Sequence, residues 1–560
     1  MTTRKLLTAV LGGAAASLAM APSAFGLGLT NLSSQPAELP AGAHSDFSQH
    51  IEITSPSDDL KKLVVHLPPG QVGDPTATPK CTETQLNANQ CPANTQVGVT
   101  TTTADLVLVA VPVEQEIPGK VYNVTAHAGE PARFGIVLTP SVGDPVILQA
   151  SASLRQDDFG LDTTIDDIPN TAAGGLVPLD IKQLDLTLFG FANDGTAEEK
   201  PFMRNPTSCD EAVTGFEATS YTGATATTPA TGSASFTPTN CGALDFSPEL
   251  SATTGGAGQT QQGGHPFYTT VIEQAATEAG LEQADVTLPV GITADNNALG
   301  NQCPVATFRA ATCPPNTIVG STEATSPLLS SPLTGTVALL LLEDTNLGVG
   351  IELHGELDMK LVGKLGFAGS GRAKNLFEGL PDIPISRFEL TVVEDGLLIA
   401  TQDLCQPPTP VTDAILDGHN GDQTVLAAPT PVEGCGPPAP PTVSMQLRKA
   451  GTDKPELDVD VDAGGNPVEK VQVKVPKRYK LAKGDAFTDG AEAIVDGSTV
   501  SDSVLTRRRN KVVMDPAAAG DSADIRLHDG ALRPADGRGK RFKVKVTDGD
   551  DQVFPFTLTP

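Results

Sequence analysis

The sequence predicts an all-β protein: two homologous, disulfide-stapled β-sandwich-like modules followed by a smaller C-terminal β-sandwich domain. Three observations predict it. First, LDVDVDA (457–463), VEKVQVKV (468–475) and RFKVKVTD (541–548) alternate apolar and polar residues, the period-two pattern of half-buried strands. Second, short apolar runs such as LVVHL, TVALLLL and FELTVV are bounded by Pro, Gly, Asp or Asn, and helical periodicity is scarce. Third, one set of landmarks occurs twice in the same order.

The composition fits that class. The 560 residues include 55 Gly and 46 Pro but only 19 Phe, 4 Tyr and no Trp. At roughly 150 residues per domain the length suggests three or four domains. With 39% hydrophobic residues, a turn-rich chain of this kind still builds cores. The net charge of −30 excludes a nucleic-acid binder that works through a general basic surface.

Residues 1–26 read as a secretory signal peptide. Arg4 and Lys5 precede the apolar stretch from Leu6 to Met20, and Ala24-Phe25-Gly26 is a small-x-small cleavage site, a layout too short for a permanent span. No other apolar run is long enough to cross a bilayer as a helix. The expected location is extracellular, either released or associated with the cell wall.

An exported chain with eight cysteines reads as disulfide-bonded. Cys81, Cys91, Cys209, Cys241, Cys303, Cys313, Cys405 and Cys435 fall into successive pairs spaced 10, 32, 10 and 30 apart. The repeated spacing suggests pairing within each copy. No CxxC occurs, which counts against zinc ribbons and thioredoxin-like chemistry.

The duplication organises the chain. CPANTQVG (91–98) matches CPPNTIVG (313–320), each with a cysteine ten residues earlier. LKKLVVHLPPG (60–70) parallels LEQADVTLPVG (281–291), and IKQLDLTL (181–188) parallels ISRFELTV (385–392). His44 and His265 also correspond. Copy one is expected over 27–250 and copy two over 265–437, with a Gly-, Thr- and Gln-rich linker at 251–264. After the Pro-rich spacer GPPAPP (436–441), residues 438–560 form the expected Ig-like C-terminal domain. Residues 441–560 carry 20 basic and 19 acidic side chains, so the acidity lies in the duplicated part.

Each motif has a plain and a functional reading. The C-x9-CPxNTxVG unit is a local staple in which Pro fixes φ and Gly admits positive φ. Asp458, Asp460, Asp462 and Glu469 occupy positions 1, 3, 5 and 12 of a calcium-loop pattern, but Ala463 stands where Gly belongs. The flanking strands read as a hairpin in which Asp458, Asp460 and Asp462 oppose Lys474, Gln472 and Lys470. DGHNGD (417–422) carries Asn420-Gly421, a type I′ hairpin signal, and the same loop offers Asp417, His419 and Asp422 to a cation or a catalytic role. Copy one has TSYTGA (219–224) there. The basic runs PKRYK (476–480) and RRRNK (507–511) are solvated charge, or a contact for an anionic wall polymer.

No GxSxG, HExxH, GxxxxGK[ST] or dinucleotide glycine fingerprint occurs, so no catalytic residue is assigned. Carboxylate pairs for glycoside hydrolysis come from distant strands and have no local signature.

The order LPPG, C-x9-CPxxTxVG, TSPLL-x2-PLTGTV, ELHGELDMKLVG, LPDIPISRFELTV, DLC, GHNG and GC resembles that of large exported, tandem-module proteins of high-GC actinobacteria, which end in a β-domain with a K-V-x-V-T-D motif like FKVKVTDGD here. The resemblance covers about 42–560 and is strongest over 281–437. It implies export and architecture, with no activity and no catalytic residues. Copy one departs from the pattern after Cys91, where TTTTADLVLVAVPV replaces TSPLL.

The leading expectation is therefore a secreted, non-enzymatic structural or adhesive protein whose partner is a cell-envelope polymer or a surface protein. The alternatives are an extracellular carbohydrate or Ca2+ binder, with Ca2+ the one cofactor the pattern admits, and then a secreted hydrolase. The oligomeric state has no signature in the sequence.

Overall fold

The computed structural model describes residues 26–560 except 55–57, 109–110, 142, 173–176, 197, 395, 436–439, 465–466, 501–503, 516–519 and 550–551. The expected signal peptide thus lies outside the described residues, apart from Gly26, as does most of the Pro-rich spacer. The chain divides into two compact units, Met1–Cys241 and Gly242–Pro560.

The first unit is built on one continuous antiparallel sheet, with two small two-stranded sheets beside it. Its main strands are β1 (Gly28–Pro36), β2 (Phe47–Thr54), β3 (Leu60–His66), β4 (Gln96–Leu108), β5 (Val111–Val124) and β6 (Arg133–Leu138). They continue with β7 (Val146–Leu154), β8 (Leu161–Ile165), β9 (Val177–Leu188), β10 (Ala212–Ser220) and β11 (Ala230–Phe236). Their order across the sheet is β1-β2-β9-β4-β5-β6-β7-β8-β3-β10-β11. Register places one apolar face along the whole sheet: Leu184 stands opposite Ile51 and Thr102, Ile136 opposite Val121 and Leu148, and Val65 opposite Thr163 and Phe216. An apolar face this broad is buried by curling the sheet over itself. The two ends then meet. A Cβ on Gly232 of β11 would lie 2.3 Å from the Leu32 side chain of β1.

The second unit begins with the same sheet built again. Its strands are β12 (Glu249–Gly255), β13 (Phe267–Glu273), β14 (Leu281–Thr287), β15 (Ile318–Thr325), β16 (Leu333–Leu341) and β17 (Leu347–His354). There follow β18 (Met359–Phe367), β19 (Ala373–Phe377), β20 (Arg387–Val392), β21 (Val411–Gly418) and β22 (Gln423–Pro429). Their order is β12-β13-β20-β15-β16-β17-β18-β19-β14-β21-β22. Every strand sits where its counterpart eleven places earlier sits in the first sheet.

Two features of the repeated motif acquire physical reasons. Gly98 and Gly320 close the CPxNTxVG units, and each lies at a register shift in its strand. A Cβ would stand 2.5 Å from the Thr187 carbonyl oxygen at Gly98, and 2.0 Å from that of Thr391 at Gly320. Close approach of the neighbouring backbone, not the positive φ expected from sequence, demands glycine here, since neither residue has positive φ. Disulfides join Cys81 to Cys91 and Cys303 to Cys313, each beside a one-turn helix, Glu83–Asn87 or Val305–Arg309. Those helices bury Leu86 and Phe308 on the outer faces of the sheets, over Gly135 and Gly350. The closing pairs are Cys209–Cys241 and Cys405–Cys435.

The expected linker at 251–264 is corrected. Residues 249–255 are β12, the first strand of the second sheet, paired in full with β13. Its threonines read as linker composition, but Ala252 and Thr254 are buried and the Thr254 hydroxyl donates to the Phe267 carbonyl. Phe246 packs with Ala279 and Leu416 of the same unit, so residues that were expected to end copy one belong with module two.

The C-terminal strands form two five-stranded sheets around a shared core. Within it, β23 (Glu456–Asp462) pairs with Thr442–Arg448 and Ser522–Leu527, whereas β24 (Val468–Lys474) pairs with Lys511–Met514 and Phe542–Asp548. The expected hairpin between β23 and β24 is therefore not formed. Each strand is apolar on alternate residues, with Val459, Val461, Val471 and Val473 buried at 2% exposure or less. Burying both rows against each other from opposing sheets covers more apolar surface than pairing edge to edge.

Candidate functional site

The DGHNGD loop joins β21 to β22. Gly421 donates to the Gly418 carbonyl (2.9 Å) and Gly418 to the Asp422 carbonyl (2.8 Å). Gly421 has φ of 85° but Asn420 does not share positive φ, so the turn is not the expected type I′, which needs both. Asn420 instead spends its side chain locally: Nδ2 donates to the Leu244 carbonyl (2.8 Å) and to Asp422, while Oδ1 accepts from the Asp422 N–H. Asp417 accepts from the amides of Gln283 and Gln423, both at 2.7 Å. His419 Nε2 bonds the Leu380 carbonyl at 2.9 Å.

The first module explains His419. Its counterpart is Tyr221, whose hydroxyl donates to the Ile168 carbonyl at 2.8 Å. The Tyr221 and His419 N–H groups donate to the carbonyls of Asp59 and Gly280, and the pinned loops are anchored alike, Ile168 to Lys61 and Leu380 to Glu282. Two chemically different side chains thus tie the same loop to the same strand end.

The shared histidines are equivalent in the same way. His44 Nδ1 bonds the Met203 carbonyl and His265 Nδ1 bonds the Leu398 carbonyl, each at 2.9 Å. Burial lowers the His44 pKa, only partly offset by its bond to the Met203 carbonyl.

Of the calcium-pattern residues, Asp458, Asp460 and Asp462 lie on β23 with Leu457, Val459 and Val461 turned into the core. Glu469 is exposed on β24, in the other sheet. The four carboxylates sit on two sheets and do not converge. Asp458 pairs with Arg448 (2.7 Å), Asp460 accepts from Ser444 (3.0 Å), and Asp462 accepts from the Gly464 N–H (3.0 Å). Asp460 stands directly across from Asp524, and burial, then that like charge, raises the Asp524 pKa. Among the described residues no group of three or more His, Cys, Asp or Glu is placed to hold a metal ion.

Sequence reasoning missed the buried hydroxyl groups where each sheet closes. In module two the Tyr268 hydroxyl meets Thr412, which meets Thr430, both at 2.8 Å, and burial raises the Tyr268 pKa strongly. In module one Thr214 bonds Ser34 at 2.9 Å. Serine, threonine and a lone tyrosine carry no distinctive spacing, so only strand order brings them together.

The interior of module one is a further concave feature. Its inner face encloses an apolar void of about 130 Å3, bordered among others by Phe134, Ile136, Leu148, Leu161 and Leu186.

No family model and no curated protein matches the chain. Among solved structures it is similar to the collagen-binding domain of the Erysipelothrix rhusiopathiae surface protein RspB, at 10% identity over 57% of this chain and 93% of that one, with a TM-score of 0.15. A membrane-anchored protein from Corynebacterium diphtheriae matches at 6% identity over 95% and 93%, TM-score 0.15. Elastase-activated alpha-2-macroglobulin from Escherichia coli matches at 12% over 95% and 44%, TM-score 0.13. At such scores no site of theirs maps onto this chain. The four disulfides are those of a protein that matures in an oxidising compartment. Among the described residues no helix is long and apolar enough to cross a membrane.

Proposed function

We propose that the protein is a secreted, non-enzymatic structural or adhesive protein of the cell surface. The observation that carries this reading is the equivalence of polar side chains between the modules. His44 and His265 brace one loop, and Tyr221 and His419 another, each by a bond to a main-chain carbonyl. What the copies share is scaffold, as expected of a protein that presents surfaces. The resemblance to exported actinobacterial tandem-module proteins belongs to the same reading.

The partner is an anionic polymer of the producing cell's envelope. Its contact is the C-terminal domain, where Arg507, Arg508, Arg509 and Lys511 cluster around the hairpin turn between Leu505–Arg508 and Lys511–Met514. Sedimentation of the mature protein with purified envelope tests this. The protein should pellet with and without EDTA, and an Arg507→Gln/Arg508→Gln/Arg509→Gln variant should remain in the supernatant. Wild-type protein that stays soluble contradicts the reading, and pelleting abolished by EDTA replaces it with cation-bridged attachment.

A further inference from the structure

Module one is not filled. Protein interiors are close-packed, with few voids larger than a water molecule, yet its rolled sheet surrounds about 130 Å3 of empty apolar space. That approaches the roughly 150 Å3 of an engineered cavity that stays dry and takes up benzene. Among the described residues that line it none is charged, and the polar ones are Gln49, Thr100, Thr102 and Thr163. The Thr100 hydroxyl is turned to the Asp185 carbonyl at 2.7 Å.

Two further observations point to a guest. The large side chains that face inward are incompletely covered: Phe134, Leu148, Leu161, Leu184, Leu186 and Leu188 are all only half-buried. The void is also long for its volume. The lining rows Phe134–Leu138 and Leu184–Leu188 each extend about 13 Å at ~3.3 Å per residue. A lining that runs this far along two strands suits an extended chain.

We infer that module one binds a single unbranched hydrocarbon chain, the acyl chain of a lipid or of a free fatty acid, in the slot inside its rolled sheet. Burying methylene groups against these side chains takes the guest chain out of water and supplies the dispersion contacts that the empty slot lacks. Ala150 and Ala152 line the slot on β7, and their small size leaves part of the room. The inference does not rest on envelope attachment and survives its failure.

The test uses the mature full-length chain and the fluorescent fatty acid cis-parinaric acid. Its emission should rise on binding and fall again when dodecane or dodecanoate is added. Ala150→Leu and Ala152→Leu, which fill the slot, should each weaken binding at least tenfold. Equal competition by dodecane and dodecanoate identifies a lipid chain whose headgroup lies outside. Dodecanoate competing tenfold better identifies a free fatty acid held also by its carboxylate. No rise in emission, no displacement by dodecane, or unchanged binding in both folded variants overturns the inference. If neither variant folds, the wild-type melting temperature decides: a rise in the presence of dodecane supports the slot, and no rise refutes it.

Discussion

At the residue scale the account turns on side chains whose surroundings fix their protonation. His44 and His528 make opposite predictions. Burial lowers the folded-state pKa of His44 below its ordinary 6.5. The neutral ring therefore contributes stability above that value, and the contribution is lost as pH falls through the folded pKa. At His528 burial pulls the pKa down, but Asp529 and Glu492 more than offset it, leaving it raised. Its contribution is present below 6.5 and is lost as pH rises through the folded value. Thermal unfolding of wild type, His44→Gln and His528→Gln between about pH 5 and 8 checks both. The advantage of wild type over His44→Gln should shrink on acidification, and its advantage over His528→Gln should grow. Slopes of the same sign would contradict the placement of one ring. Much at this scale was legible in the sequence, because His44 and His265 correspond between copies. The reason for Gly98 and Gly320 was not, since the carbonyl each approaches belongs to a strand more than seventy residues away.

At the element scale the disulfide-flanked helices show what a short spacing does. A separation of 10 between cysteines was enough to expect a staple, and the structure adds its load: Leu86 or Phe308 buried over a glycine on the outer face of the sheet. Phe308 packs with Cys303, Val305, Ala338 and Leu340 in a small core separate from the inner face. Phe308→Ala should therefore cost about 3–5 kcal/mol, as large-to-small changes at fully buried aromatic sites do. Urea unfolding measures it, and a loss below about 1 kcal/mol would mean that the helix carries no packing of its own. The misread elements share one cause. Strand β12 looked like linker because Ser, Thr and Gly dominate it, although the buried Thr254 hydroxyl is satisfied by the Phe267 carbonyl, and the β23–β24 hairpin looked natural because neighbouring alternating strands often pair. In both cases tertiary burial, which has no local signature, decided the outcome.

At the scale of the whole molecule the duplication was the strongest signal, and the identical order of eleven strands in both sheets is its structural form. Landmark order was legible because cysteines, prolines and glycines stand out. Strand order was not, because β9 lies between β2 and β4, and β8 lies beside β3, through pairings between residues 73 to 141 apart in the sequence. The module-one slot was equally hidden, since each lining residue reads as ordinary core. The central claim is that the chain carries the same disulfide-stapled scaffold twice, each copy closed upon itself. Mass-spectrometric peptide mapping of the protein without reduction tests it most directly. The account predicts Cys81–Cys91, Cys209–Cys241, Cys303–Cys313 and Cys405–Cys435 and no free thiol. A bond between any cysteine of 81–241 and any of 303–435 would contradict it.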